Sequence, residues 1–210
     1  MKKIIFSISL ILLGSVISFA QDKDKKTDTA MSAKEARRFK KMMSVAQYPL
    51  IKGHPMTGVI PATGIDAWPD TTQSYKIIVA WTLGSKDSAK AKKVNVALTE
   101  IGRILNLHLA SGIPQKNIEI VVAVHGLSLF SLQNDEAYQK MFHIKNPNSS
   151  LLKELQDAGV KFIACGQAMA FLEIDKQSLL PGIKKALTAQ TIITSYQMKG
   201  FALINEDTED

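Results

Sequence analysis

Between Tyr75 and Ile204 the chain alternates short, nearly uninterrupted apolar runs with stretches whose apolar positions recur every three or four residues. Tyr75-Lys76-Ile77-Ile78-Val79-Ala80-Trp81 and Asn117 to Val124 are β-branched runs, the second apolar enough for burial on both faces, and Val160 to Cys165 forms a third. Gly200-Phe201-Ala202-Leu203-Ile204 reads as a last strand. Between them, residues 87–110 place Val94, Leu98, Ile101, Leu105 and Leu109 on one helical face. Shorter helices are predicted at 134–142, opened by Asn134-Asp135-Glu136, at 150–158, closed by Gly159, and at Gln167 to Leu172. Residues 186–198 carry Ala186, Ala189, Ile193 and Tyr196 at helical spacing. Apolar strands separated by helices predict βαβ units, hence an α/β fold with a parallel sheet flanked by helices on both faces.

The pattern is different before Tyr75. Lys2 and Lys3 precede an uncharged run from Ile4 to Ala20 that closes on Ser18-Phe19-Ala20, the layout of a secretory signal peptide cleaved after Ala20. An uncleaved anchor is the alternative, since the run is at the short edge of what spans a bilayer. No cysteine follows the site, which argues against a lipid anchor. Cleavage makes the protein periplasmic or secreted, with no transmembrane segment left. Residues 21–74 read as an extension in three parts. Gln21 to Thr29 has no apolar residue and reads as a flexible tether. Ser32-Ala33-Lys34-Glu35 is a capping-box pattern opening a helix over 33–46, with Ala36, Phe39, Met43 and Ala46 on one face and Arg37, Arg38, Lys40 and Lys41 on the other. Such a helix can lie on an anionic membrane, but its narrow apolar stripe favours packing against its own domain. Seven prolines and glycines between Tyr48 and Asp70 exclude a long regular element and leave a loop that wraps or links. The α/β domain is then 75–205, and 206–210 is an acidic tail.

Composition narrows the classes of function. The formal charge of +7 falls to +5 once Lys2 and Lys3 leave with the signal. Export and the lack of an arginine-rich or aromatic-interleaved stretch argue against a nucleic-acid partner. One cysteine and four scattered histidines supply no metal-ligand spacing, and Gly84-Ser85-Lys86-Asp87 lacks the glycines of a nucleotide-binding loop, so neither metal nor cofactor is expected.

Ligands of an open parallel sheet bind beyond the carboxyl ends of its strands. The residues there are Gly84 and Ser85 after the first strand, His125, Gly126 and Ser128 after the second, and Cys165, Gly166 and Gln167 after the third. If these strands are adjacent, the three turns share one rim. Cys165 is the only cysteine, so it cannot close an intramolecular disulfide. It is a packed residue, an intermolecular bridge or a reactive thiol activated at a helix start. His125 is either a base on the same rim or a histidine bonded to local backbone.

Several of these segments, taken in order, resemble the exported branch of the DsrE/DsrF-like family. They are Asn117 to Gly126, Asn134-Asp135-Glu136-Ala137-Tyr138, Asn146-Pro147-Asn148 with Leu151 to Leu155, Ala164-Cys165-Gly166-Gln167 and Gly200 to Ile204. The likeness covers about residues 47–205. It implies a flavodoxin-like sandwich that assembles into a homo-oligomer, a trimer or hexamer. It also implies sulfur-relay chemistry in which Cys165 accepts a persulfide sulfur and passes it to a partner protein. The competing expectation is a non-enzymatic oligomeric binding module in which Cys165 is only packed.

Overall fold

The computed structural model describes residues 32–206. The expected signal of residues 1–20, the whole of the expected tether of residues 21–29 and residues 207–210 of the expected tail lie outside the described residues. Five parallel strands form one sheet in the order β4-β3-β2-β1-β5: β1 is Tyr75–Trp81, β2 Ile118–Val124, β3 Lys161–Cys165, β4 Lys184–Ala186 and β5 Ala202–Glu206. The helices are α1 Ala33–Met43, α2 Val96–Ala110, α3 Asp135–Phe142, α4 Ser149–Asp157, α5 Gly166–Phe171 and α6 Ala189–Met198.

Alternation along the strands divides the core into two unequal layers. Ile77, Val79 and Trp81 share one face with Ile120, Val122, Val124, Phe162 and Ala164, and this face carries Leu98, Ile101 and Leu105 of α2 together with buried residues of α3, α4 and α5. Ile78, Val121, Ala123, Ile163 and Cys165 face the other way, where α6 and Phe201 form a smaller cluster. Helices cover both faces, as the βαβ pattern requires.

Five expectations need correction. The long helix begins at Val96 rather than 87, because Asn95 caps it by accepting from Ala97 N at 3.0 Å, while Asp87 folds the preceding residues into a turn through Ala89 N and Lys90 N. Residue 186 belongs to a strand, not a helix: β4 pairs with β3 from Ile163↔Lys184 to Cys165↔Ala186, and α6 starts at Ala189 behind the cap of Thr188. The last strand runs two residues later than expected. Consequently Glu206 belongs to the sheet, not to an acidic tail, and its carbonyl accepts from Thr82 N and Leu83 N. Finally, α1 has its capping box but ends at Met43 and buries no residue fully, Phe39 and Met43 being half-buried.

The segment before β1 wraps rather than links. Gln47 and Val59 bridge, Ile51 is fully buried, and the side chain of Asn106 on α2 clamps the loop. Asn106 Oδ1 accepts from Leu50 N and Ile51 N at 3.0 and 2.9 Å, and its Nδ2 donates to Ile51 O and Thr57 O at 2.8 and 2.9 Å.

Candidate functional site

Strands β3, β2 and β1 are neighbours and parallel, so the three glycine turns do share one rim. The rim has two sides, one on each face of the sheet. Cys165 is the last residue of β3 and the N-cap of α5. The register Val124↔Ala164 sets His125 beside Cys165 on the next rung, and alternation puts both on the α6 face. Cys165 is 5% exposed and packs in the cluster that contains Ala123 and Ala189, the first residue of α6. The only thiol is therefore buried in the layer between the sheet and α6. His125 is half-buried, donates its backbone N–H to Trp81 O at 3.0 Å and makes no capping bond through its ring. Burial holds its pKa below the ordinary histidine value, so the ring is a neutral imidazole at pH 7.

The remaining predicted residues divide between bracing and lining. Ser128 is fully buried, with Oγ 2.8 Å from Trp81 O and 2.7 Å from His125 O; its single proton is shared between the ends of β1 and β2. Gly84 touches the same bracing. A side chain there would overlap the backbone of Leu127 and Ser128, so the residue is glycine to let two rim loops pack against each other. Gly166 is hemmed in the same way by β4, with Ala186 O 2.6 Å from where a Cβ would stand. Gly126 begins a 3-10 segment, and Gln167 is exposed, its N–H donating to Leu187 O at 3.0 Å.

The rim's cavity, about 560 Å³, opens on the other side of the sheet, where the loop after β1 meets α2 and the 3-10 segment after β2. Gly84 and Ser85 line it, but His125, Gly126, Ser128, Cys165, Gly166 and Gln167 do not. Its walls depend on residues that pattern reading passed over. Asn95 N donates to Asn148 Oδ1 at 2.7 Å, Asn148 Nδ2 to Asn146 Oδ1 at 2.8 Å, and Asn146 Nδ2 to Ser131 O and Gln133 O at 2.9 and 2.6 Å. Tyr138, buried on α3, donates to Ala91 O at 2.8 Å. The run Asn146-Pro147-Asn148 was visible in the sequence, but only as part of the family likeness. Among the described residues no group of three or more His, Cys, Asp or Glu could hold a metal ion, and no helix is long and apolar enough to cross a membrane.

The model of the DsrE/DsrF-like family matches residues 89–205, more than half of the chain. The chain is similar in fold to the solved structure of a protein of unknown function from Methanobacterium thermoautotrophicum, with 19% identity over 62% of this chain and 99% of that one and a TM-score of 0.44. No curated protein matches.

Proposed function

The chain belongs to the DsrE/DsrF-like family, and from that premise we propose that it handles sulfur or thiols, with Cys165 as the acceptor of a persulfide sulfur. The observation that carries this reading is the placement of the sole thiol at the carboxyl end of β3, beside a neutral His125. In the proposed step His125 takes the thiol proton and the Cys165 thiolate attacks the outer sulfur of a persulfide or polysulfide. The donor's S–S bond breaks and the donor leaves as a thiolate. A new S–S bond forms on Cys165, so no outside oxidant is needed. Because Ala189 is the only buried residue of α6, local release of that helix start is the economical route to the sulfur.

Around this chemistry we place the export route and the assembly that the family likeness implies. The signal of residues 1–20 would deliver domain 75–205, with its 21–74 extension, to the periplasm or outside the cell. Phe171, Met198 and Leu187, at 88, 85 and 73% exposure, are apolar surface that a homo-oligomer would cover. The test is intact mass after incubation with polysulfide. Added sulfur should appear on the wild-type protein and be lost in Cys165→Ser and Cys165→Ala, both checked for folding. No adduct on the folded wild type rejects the reading.

A specific observation favours a second reading, the non-enzymatic binding module: Cys165 is buried and the rim's cavity lies on the opposite face of the sheet. That reading expects Cys165 to resist alkylation in the native state at all times, and ligand binding to be unaltered in Cys165→Ala.

A further inference from the structure

The rim cavity carries an inference that does not depend on Cys165. Helix α2 starts in its wall, and a helix start leaves four backbone N–H groups without helical partners. Three are satisfied nearby: Asn95 N by Asn148 Oδ1, Ala97 N by Asn95 Oδ1, and Leu98 N by Asn95 O. The fourth, on Val96, has no partner, and Val96 is a cavity-lining residue with 57% exposure. A second donor comes from a different element. Ser131, in the 3-10 segment, is 7% exposed and lines the same cavity; its carbonyl accepts from Asn146, but its hydroxyl makes no hydrogen bond.

Charge and apolar surface complete the picture. Lys93 lies in the wall, and Lys86 Nζ stands 5.6 Å from the ring centre of the lining residue Phe130. The one acid in the lining, Asp87, accepts from Ala89 N and Lys90 N at 2.7 and 3.0 Å, which ties its carboxylate back to its own loop. Those same bonds hold its pKa below the usual carboxylate value. Tyr138 already donates its proton to Ala91 O. The large apolar side chains of the wall include Leu83, Val94 and Phe130.

We propose that this cavity binds a small organic anion, its charged group held by Val96 N–H and the Ser131 hydroxyl and its apolar body resting on Leu83, Val94 and Phe130. The free donors, the positive end of the α2 dipole and the lysines select negative charge. The apolar wall selects an organic body over a bare inorganic ion.

The test is an NMR titration of the full mature chain with butyrate, benzoate and benzenesulfonate, with benzamide as the neutral counterpart and inorganic phosphate as the bare anion. Val96→Pro deletes the key donor with little cost to the helix, because proline suits the first helical position and Asn95 already has the extended φ of −63° and ψ of 131° that precede proline well. Ser131→Ala deletes the other. At least one organic anion should shift the amide resonances of Val96 and Ser131, and should bind more tightly than benzamide or phosphate. Each variant, folded as judged by its unchanged thermal midpoint, should weaken that binding about tenfold. The proposal is overturned if no organic anion shifts these resonances, if benzoate and benzamide bind alike, or if both folded variants bind as the wild type does.

Discussion

Asn106 is the side chain on which the most structure depends. It is fully buried on α2 and completes four hydrogen bonds to backbone roughly fifty residues earlier in the chain. Asn106→Ala would strand two N–H and two C=O groups in the interior, each costing about 1–3 kcal/mol if water does not reach it. The expected loss is at least 3 kcal/mol in urea unfolding, and a loss below about 1 kcal/mol would show that the wrapping loop is held by Ile51 alone. Nothing in the sequence marks this residue, since a polar position inside a helix reads as solvated and its partners are remote. Cys165 is the converse case. Its strand-end place was legible, because an apolar run stops there at a glycine, but its burial was not, because the cluster it joins is drawn from strands and α6 far apart in the chain. Cys165→Ala should cost about 1 kcal/mol in the same measurement, and Cys165→Ser more, since a hydroxyl would replace a thiol in an apolar cluster.

At the scale of elements, legibility follows burial. β1 was predicted at both of its ends and β2 to within a residue, because central strands of a parallel sheet are apolar on both faces and leave a continuous signature. β4 was missed because it is a three-residue edge strand, Lys184-Lys185-Ala186, with two exposed lysines. Such a short, charged edge suits a sheet that must not pair further, and it carries almost no hydrophobic pattern. The start of α2 was misjudged for a local reason: an Asx turn at Asp87 and a cap at Asn95 fit the same helical spacing as the real stripe. With α1 the capping box specified the helix but not its packing, because the amphipathic pattern is the same whether the apolar face meets a domain or stays open. A chain starting at Ser44 should therefore melt within about 2 °C of a chain starting at Gln21, as expected when surface groups without buried contacts are removed. A larger drop would mean that the apolar face of α1 is covered in solution, by another copy or by the domain.

At the scale of the whole molecule, the two faces of the sheet divide the candidate chemistry: thiol and imidazole under α6, anion cavity at the start of α2. The face that carries Cys165 is the thinner layer, and it holds His125 partly away from water. That arrangement makes stability depend on pH, with a sign that can be worked out. Burial lowers the pKa of His125 and of His54 below 6.5 in the folded protein, and His54 Nδ1 also accepts from Met56 N at 3.2 Å, which requires an unprotonated ring nitrogen. Between the folded and unfolded pKa values the unfolded chain binds more protons, so stability rises with pH there. Their contribution is complete above the unfolded value near 6.5 and is lost as the pH falls toward the lower folded values. The carboxylates Glu35, Asp70, Asp87 and Glu136 are also shifted downward, by hydrogen bonds. Their contributions are present above the unfolded carboxylate range and fade only below about pH 4.5. The window from pH 7.5 to 5.5 thus isolates the histidines. Urea midpoints should fall across that window in the wild type, less steeply in His125→Asn, and least in the double variant with His54→Asn. A slope unaltered by either substitution would place both rings in contact with water and show that burial does not lower their pKa values.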